Sequence, residues 1–450
     1  MERAGAEVFE KLPVGQAVRR QIVPSVVSQM VTLIYSLADT YFVGLLNEPR
    51  QSAAITLVYP AFVMLTAVSN LFGAGGASLI AQRLGKNKEK DAREISSAAF
   101  WLGLGAAVFF ALLFFSLARP VLTLCGATEE TFPIAHGYAL WVIVLGGPFV
   151  ILNSLLANLL RAEGYAGVAS FGISAGGILN TILDPFFILP TFLGFGAAGA
   201  GIATALSNLL STGYFIFMIW RKRKTSVITI DPAYLWRAKL HVKPLLAMGM
   251  PSALQYALTV AAIGAQSAFV AKYATEATAA LGIVKKLDQL PLYFSIGVAN
   301  GLLPLLAYND TAGNKERRRK AFALGVSVSL GFSLLCLVLY ELFAPQLSGL
   351  FIADALTIEY SSAFLRRMVT AMPFMAVCYP MVVQFQAMGR TREALAISIL
   401  RKGVLDLPML FLLNRALPLF GCMWVQPIVD FVSLIAAAGL YIRLKKRGKA

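Results

Sequence analysis

The stretch FWLGLGAAVFFALLFFSLA, residues 100–118, contains no charged side chain. A run of about 20 apolar residues is long enough to cross the hydrocarbon core of a bilayer as a helix. The rest of the chain has the same character, with 58% hydrophobic residues, 14% charged residues and a mean hydropathy of +0.71. This composition excludes a soluble globular domain and predicts an all-α polytopic membrane protein.

Twelve apolar segments are long enough to cross a membrane. We expect transmembrane helices at residues 17–44, 52–82, 94–118, 136–160, 165–190, 196–220, 244–271, 279–309, 321–343, 361–388, 393–414 and 420–442. A polar stretch at 221–243 divides them six and six. The sequence therefore predicts an N-terminal six-helix lobe (1–220), a cytoplasmic linker (221–243) and a C-terminal six-helix lobe (244–450).

The two halves are related by an internal repeat. Pro24-Ser25 aligns with Pro251-Ser252, and Gly73 aligns with Gly301. Six spans per half leave both repeats in the same orientation, so the predicted lobes are related by a pseudo-two-fold axis along the membrane normal. Two such lobes around a central cleft are typical of an alternating-access carrier.

The net charge of +16 is a topology signal. Most of the 39 lysines and arginines lie in or near segments that face one side of the membrane. The positive-inside rule then places both termini in the cytoplasm of a multi-pass protein of the inner (plasma) membrane. We expect the basic surface to contact membrane lipid and expect no nucleic-acid partner.

Two isolated carboxylates lie inside apolar spans. Asp184 is part of NTILDPFFIL, residues 180–189, and Asp39 is part of IYSLADTYFV, residues 34–43. A charged side chain at bilayer depth costs about 2.5–3.5 kcal/mol on insertion scales, so it usually marks an ion or proton path. Asn180 precedes Asp184 by one helical turn and shares its face. A structural hydrogen bond or a helix cap is the alternative for each acid.

Other polar residues in the spans are weaker candidates. Possible partners of the two acids are Tyr35, Tyr138 and Asn158, and possible cleft-lining residues are Asp288, Gln255 and Asp430. Asp288 can instead pair with Lys285 on its own helix. Asp406 occupies the repeat position of Asn180 and can pair with a neighbouring basic residue. For Asp430, lining the cleft and bracing a helix remain equally open.

The sequence offers no enzymatic cofactor site. The four cysteines are scattered singly, the two histidines are far apart, and the glycine-rich run at 73–78 is not followed by Lys-Ser or Lys-Thr. We therefore expect no cofactor other than H⁺ or Na⁺ as a coupling ion. An intramembrane aspartyl protease is disfavoured, because Ala38 precedes Asp39 and no Gly-x-Gly precedes Asp184.

Five short motifs follow one another along the chain. They are Ala38-Asp39-Thr40, Gly73-Ala74-Gly75-Gly76, Leu160-Arg161-Ala162-Glu163-Gly164, Asn180-x-x-x-Asp184-Pro185 and Gln426-Pro427-x-x-Asp430. Together they resemble the multidrug and toxic compound extrusion (MATE) family, and within it the MepA-like and DinF-like prokaryotic branch. The resemblance covers essentially the whole chain.

The resemblance implies export of organic, mostly cationic drugs in exchange for H⁺ or Na⁺, by a monomer without enzymatic activity. It also implies a cation-coupling site in the N-terminal lobe, at Asp39, Asn180, Asp184 and Thr204, which would be metal ligands if Na⁺ couples. Thr259 stands where other members carry a glutamate, so the resemblance does not extend to a second coupling site.

The alternative function within the same superfamily is a lipid-linked precursor flippase. Such a protein needs a cationic cleft for a diphosphate group. The basic candidates for that cleft are Lys285, Lys286, Arg366 and Arg367.

Overall fold

All twelve predicted segments are helical in a computed structural model of the chain, which describes residues 7–46 and 48–446. The helices are α1 (Val14–Gly44), α2 (Pro49–Gly85), α3 (Glu89–Leu124), α4 (Phe132–Ala139, Leu140–Leu145 and Gly147–Ala162), α5 (Ala166–Ile188), α6 (Gly196–Lys222), α7 (Leu235–Val270), α8 (Thr275–Thr311), α9 (Lys315–Gly349), α10 (Ala355–Met368, Val369–Ala371 and Met372–Ala387), α11 (Thr391–Ile399, Leu400–Val404 and Asp406–Ala416) and α12 (Gly421–Lys446). Across those described ranges there is no β-strand. The predicted all-α, multi-pass fold is confirmed.

Ten of the described helices are long and apolar enough to cross a membrane unbroken, and α4 is an eleventh made of two parts bent by 43°. The bend in α4 falls beside Gly147 and Pro148, and Pro148 cannot donate a helical hydrogen bond. Helix α11 is interrupted by the π-helical segment Leu400–Val404, just before Pro408. A proline disrupts the helical turn before it, so the sequence itself explains both breaks.

Each lobe has the same internal packing. In the first lobe (α1–α6), α1 packs on α5 and α2 packs on α4. In the second lobe (α7–α12), α7 packs on α11 and α8 packs on α10. The lobes meet through α1 against α8 and α2 against α7. These pairings relate equivalent helices of the two halves, as expected from the sequence repeat.

The lobes are closest at the end of the molecule that carries the inter-lobe linker, here called the linker end. A Cβ at position 249 of α7 would lie 1.7 Å from the carbonyl oxygen of Leu71 on α2. A Cβ at position 301 of α8 would lie 2.8 Å from the carbonyl oxygen of Gln21 on α1. Only glycine permits these approaches, which is the small-residue packing used between membrane helices.

The apolar core follows the same division. One buried cluster at the linker end includes residues of both lobes, such as Ile22, Leu245 and Leu302. At the far end each lobe has its own cluster, one around Leu122 and the other around Val284. The cleft between the lobes therefore opens away from the linker.

Two segments outside the helical bundle cross from one lobe to the other. The π-helical segment Glu7–Lys11 precedes α1, and its Phe9 carbonyl accepts a hydrogen bond of 2.7 Å from Arg317 on α9. After α6, the Ile230 carbonyl accepts one of 2.9 Å from Trp101 on α3. The linker is shorter than the predicted 221–243, because α7 already begins at Leu235.

Candidate cation site

Three of the predicted coupling residues converge in the first lobe. Asn180 and Asp184 lie one turn apart on α5, are 1% and 0% exposed, and are joined by a hydrogen bond of 3.1 Å from Asn180 Nδ2 to Asp184 Oδ1. Asp39 on α1 lies within side-chain hydrogen-bonding reach of both. The α1–α5 contact thus brings together two acids that are far apart in the sequence.

Each of the four predicted coupling residues has a buried oxygen without a hydrogen-bond partner. They are Asp39 Oδ1, Asn180 Oδ1, Asp184 Oδ2 and Thr204 Oγ1, which are four of the thirteen such side-chain oxygens in the part of the chain that the structure describes. Thr204 lies on α6 and is 3% exposed. A buried polar atom without a partner costs free energy, and native proteins usually avoid it unless the atom has a task. Oxygen atoms of this kind are the ligands that hard cations prefer.

The two predicted tyrosine partners border these acids. Tyr35 on α1 packs against Gly177 of α5, where a Cβ would lie 2.9 Å from the ring, and it interacts electrostatically with Asp39 and Asp184. Tyr138 on α4 is 8% exposed and interacts with the same two acids. Both side chains therefore lie at the edge of the site.

Asn158, the third predicted partner, is bound elsewhere. Its Oδ1 accepts a hydrogen bond of 3.0 Å from Arg161, whose other terminal nitrogen donates to Ser28 on α1 at 3.2 Å. These bonds tie α4 to α1 at Ser28, about three helical turns from Asp39. The sequence predicted that Asn158 is a partner of the two acids. In the structure it is instead a hydrogen-bond partner of Arg161.

A polar network next to Thr204 fixes the surrounding helices. The Thr204 carbonyl accepts a hydrogen bond of 2.8 Å from Asn208, whose Oδ1 accepts one of 2.7 Å from Asn153 on α4. Ser211 donates to Asn153 at 3.0 Å and to the Gly172 carbonyl of α5 at 2.8 Å. Helices α4, α5 and α6 are thereby held in one arrangement around the site.

The acids of the second lobe have basic partners. Asp430 is 0% exposed and accepts hydrogen bonds of 2.5 and 3.3 Å from Arg401. Asp406 accepts one of 3.4 Å from Lys402, which also donates to Gln426 at 2.7 Å. Asp430 therefore braces α11 against α12, which answers a question that the sequence left open.

The two remaining cleft candidates are less distinctive. Asp288 on α8 interacts electrostatically with Lys285, one turn earlier, and with Lys402. Gln255 on α7 is 6% exposed, and its carbonyl accepts a hydrogen bond of 2.7 Å from Thr259. The Thr259 hydroxyl therefore already has a hydrogen-bond partner on its own helix.

Sequence reasoning passed over a polar group at the linker end. Asp91 and Glu94 on α3 and His241 on α7 have ligand-type atoms within 4.8 Å of one another. His241 Nε2 lies 3.0 Å from Glu94 Oε2, and Arg83 lies 3.6 Å from Asp91. The histidine is far from both acids in the sequence, so no local spacing reveals the group. The contact between His241 and Glu94 holds α7 against α3 of the first lobe.

Comparison with known proteins decides the family. The family model described as MatE matches residues 24–186 and again residues 251–412. This chain belongs to the MatE family. The two matches begin at Pro24 and Pro251, the prolines that the sequence repeat aligned.

Curated relatives of this MatE protein include the multidrug export protein MepA of Staphylococcus saprophyticus. It is 29% identical over 439 residues, which cover 98% of this chain and 96% of that protein. MepA of Staphylococcus aureus strain MRSA252 is 28% identical with the same coverage.

Solved structures have the same fold. An outward-facing multidrug resistance MATE transporter of the MOP superfamily has a TM-score of 0.90 at 24% identity, covering 99% of this chain and 98% of that one. A MOP superfamily transporter from Pyrococcus furiosus has a TM-score of 0.91 at 24% identity, with the same coverage.

Proposed function

We propose that this MatE protein is a secondary active multidrug efflux transporter and not an enzyme. It exports organic, mostly cationic small molecules in exchange for H⁺ or Na⁺. The observation that carries the proposal is the set of four unpartnered buried oxygens on Asp39, Asn180, Asp184 and Thr204. The MepA relatives are named multidrug export proteins, which supports drugs as the exported molecules.

The coupling chemistry follows from two adjacent acids. Two negative charges a few ångströms apart repel strongly where the dielectric constant is low. A proton or a sodium ion bound between Asp39 and Asp184 removes that repulsion, and the oxygens of Asn180 and Thr204 complete its coordination. The inward movement of one such charge supplies about 2.3 kcal/mol per 100 mV.

The lobe arrangement supplies the transport step. Closure at the linker end together with an open far end is one of the two states that an alternating-access carrier needs. If the termini are cytoplasmic, as the charge distribution predicts, the present state faces outward. Binding of the ion to the first lobe changes the packing of α1 on α5 and so drives release of the drug.

The flippase alternative lacks a converging basic site. Lys285 interacts with Asp288 and Asp406, Arg366 lies 3.9 Å from Glu341, and Arg367 stacks on Phe420 at 4.3 Å. These basic groups already have partners in separate places. A diphosphate group would have to displace several of them at once.

The proposal is tested in proteoliposomes with separately imposed pH and Na⁺ gradients. A fluorescent organic cation, such as ethidium, serves as the cargo, and its movement is followed after each gradient is applied. We expect export driven by one of the two gradients. We expect none from a variant that carries both Asp39→Asn and Asp184→Asn, because no exchangeable charge remains at the site.

Asp406→Asn is the matched control. It removes a buried acid of the second lobe, at the position equivalent to Asn180, and should retain gradient-driven export. Transport by the double aspartate variant at the wild-type rate would refute the coupling role. Selective transport of a lipid diphosphate, with no movement of the cation, would instead establish the flippase.

A further inference from the structure

Three side chains with metal-binding chemistry meet at the linker end of the molecule, away from the candidate cation site. Asp91 and Glu94 are three residues apart and lie on one face of α3. His241 reaches them from the second turn of α7. The ligand-type atoms of these three side chains all lie within 4.8 Å of one another. An imidazole and two carboxylates, contributed by helices of both lobes, therefore face one small region between α3 and α7.

The spacing of these atoms suits a single transition-metal ion. Zinc binds imidazole nitrogen and carboxylate oxygen at about 2.0–2.2 Å, so ligand atoms around one ion lie about 3–3.5 Å apart. His241 Nε2 and Glu94 Oε2 are already 3.0 Å apart. Bringing Asp91 to the same ion takes a movement of about 1.5 Å or less. The Asp91 side chain is 32% exposed, so it has room to make this movement.

Glu94 is the most buried of the three residues and has few partners. It is 5% exposed, and among the side chains that the structure describes its carboxylate has His241 as its one hydrogen-bond partner. His241 is itself 7% exposed. Buried charges in proteins are usually paired with an opposite charge or coordinate a metal. A divalent ion shared with Asp91 supplies the positive charge that this carboxylate needs.

Arg83, at the end of α2, is the competitor of a metal ion for Asp91. Its Nε lies 3.6 Å from Asp91 Oδ2, which is longer than a normal hydrogen bond. Both side chains are partly exposed, so the ion pair is weak and solvent reaches the aspartate. A metal ion therefore enters from the linker side and displaces Arg83 from Asp91.

The linker holds the start of α7 beside α3. Ser96 and Ser97 on α3 donate hydrogen bonds of 3.0 and 2.8 Å to the carbonyl groups of Thr229 and Asp231. These bonds fix the linker along α3 shortly before α7 begins. The helix that carries the histidine is thus already positioned against the helix that carries the two acids.

The group also lies close to the contact between the lobes. Leu245 follows His241 by four residues, about one helical turn. A Cβ at position 75 of α2 would lie 2.5 Å from the Leu245 carbonyl oxygen, so α7 and α2 touch there. This contact must separate if the linker end is to open. A metal ion at His241 would hold α7 in place within one turn of it.

We propose that Asp91, Glu94 and His241 form a regulatory Zn²⁺ site that holds the linker end closed. The three side chains supply one nitrogen and two oxygens, and water completes a tetrahedral shell. The imidazole favours zinc over magnesium, because magnesium prefers oxygen ligands. Bound Zn²⁺ opposes the opening that an alternating-access carrier needs. Zinc binding is independent of the proposed transport function, whereas its effect on export rests on that function.

The test measures Zn²⁺ binding to the purified full-length protein by calorimetry, with excess Mg²⁺ present. We expect binding to a single site. His241→Gln keeps a hydrogen-bonding group beside Glu94 but loses the imidazole, and Asp91→Asn weakens a ligand on the partly exposed side. Each should weaken Zn²⁺ binding by more than about a hundredfold, since loss of an outer-shell partner alone costs about 10- to 100-fold. Arg83→Gln removes the competitor and should tighten binding up to about fivefold.

The chain provides matched controls. His136 is the other of its two histidines, and His136→Gln should bind Zn²⁺ as the wild type does. Cys125 is a partly exposed free cysteine, and Cys125→Ser should also bind normally. Unchanged binding in His241→Gln and Asp91→Asn, or loss of binding in either control, would show adventitious zinc only and overturn the site.

The effect on the lobes is measured between spin labels that replace the exposed Lys88 and Lys315, one in each lobe. Zn²⁺ should shift the wild type toward the shorter distance and should leave His241→Gln unchanged. It should also slow cation export when added on the linker side. Zinc binding with neither change would overturn the locking role. If Zn²⁺ binds and shortens the distance but no organic cation is exported, the site stands and only the transport function fails.

Discussion

In the first lobe, Asp39 and Asp184 lie together without a basic partner among the residues that the structure describes, whereas in the second lobe Asp406 and Asp430 are matched by bases. Asp39 and Asp184 lie beside the Asn180 amide, with Tyr35 and Tyr138 at the edge of the site. Asp430 and Asp406 bind Arg401 and Lys402. Within a buried pair of opposite charges each charge offsets the other, whereas two adjacent acids repel, so we expect them to bind an exchangeable cation.

The repeat makes the comparison sharper. Asn180 and Asp406 occupy equivalent positions of the two halves. In the second lobe Lys402 donates a hydrogen bond of 3.4 Å to Asp406, so that acid already has a positively charged partner. A fixed side chain cannot leave, so we expect only the first lobe to retain exchange.

The largest expected effect is the loss of coupling when the acids of the first lobe are neutralised. Asp39→Asn and Asp184→Asn together should reduce gradient-driven cation export to background, while thermal stability in detergent stays near that of wild type. Export is measured in proteoliposomes. Equal loss of export in Asp406→Asn would show that both lobes couple and would break the comparison.

The next effect concerns stability in the second lobe. Arg401→Met leaves Asp430 buried without a partner, which should cost about 3–5 kcal/mol of folding free energy. Arg401→Met combined with Asp430→Leu should recover most of that loss, because no uncompensated charge remains. Denaturant unfolding in detergent measures both. If the double variant is as unstable as the single one, packing and not charge dominates this pair.

A smaller effect tests the contact that both lobes share. Gly249→Ala places a Cβ 1.7 Å from the Leu71 carbonyl oxygen, so closure at the linker end should lose about 1–3 kcal/mol. Spin labels at the exposed Lys88 and Lys315 should then report longer distances between the lobes. Gly264→Ala on the same helix meets no atom within 4 Å and should leave the distances unchanged.

The smallest effect separates the two coupling ions. If Na⁺ couples, Thr204→Val removes one oxygen ligand and should raise the Na⁺ concentration for half-maximal export about three- to tenfold, the value of one hydrogen-bond-sized interaction. Thr204→Ser keeps the oxygen and should behave as wild type. An unchanged Na⁺ response in Thr204→Val would remove Thr204 from the site.

Much of the fold was predictable from hydrophobicity. In lipid, backbone groups must bond within the segment, so each long apolar run had to become a helix. The breaks in α4 and α11 lie beside Pro148 and Pro408, which local sequence also explains. The length of the linker was misjudged, because the amphipathic start of α7 has too many charges to be recognised as part of a span.

The candidate site was predictable only in part. Asp39, Asn180 and Asp184 stood out because polar groups in apolar helices are costly, and their convergence followed from the family resemblance. Asn158 stood out for the same reason. Which partner its side chain meets depends on how α4 is rotated about its axis, and in the structure that partner is Arg161.

By itself, the sequence determined that this chain crosses the membrane in two related halves. It also determined that two acids lie inside membrane-spanning segments, where a charge is energetically unfavourable. Those properties depend on composition and on local spacing. Only the tertiary structure decided which acids acquire a base, since Arg401 meets Asp430 across two helices while Asp39 meets Asp184. Such pairings depend on how helices rotate and approach one another, and no local pattern along the chain encodes that.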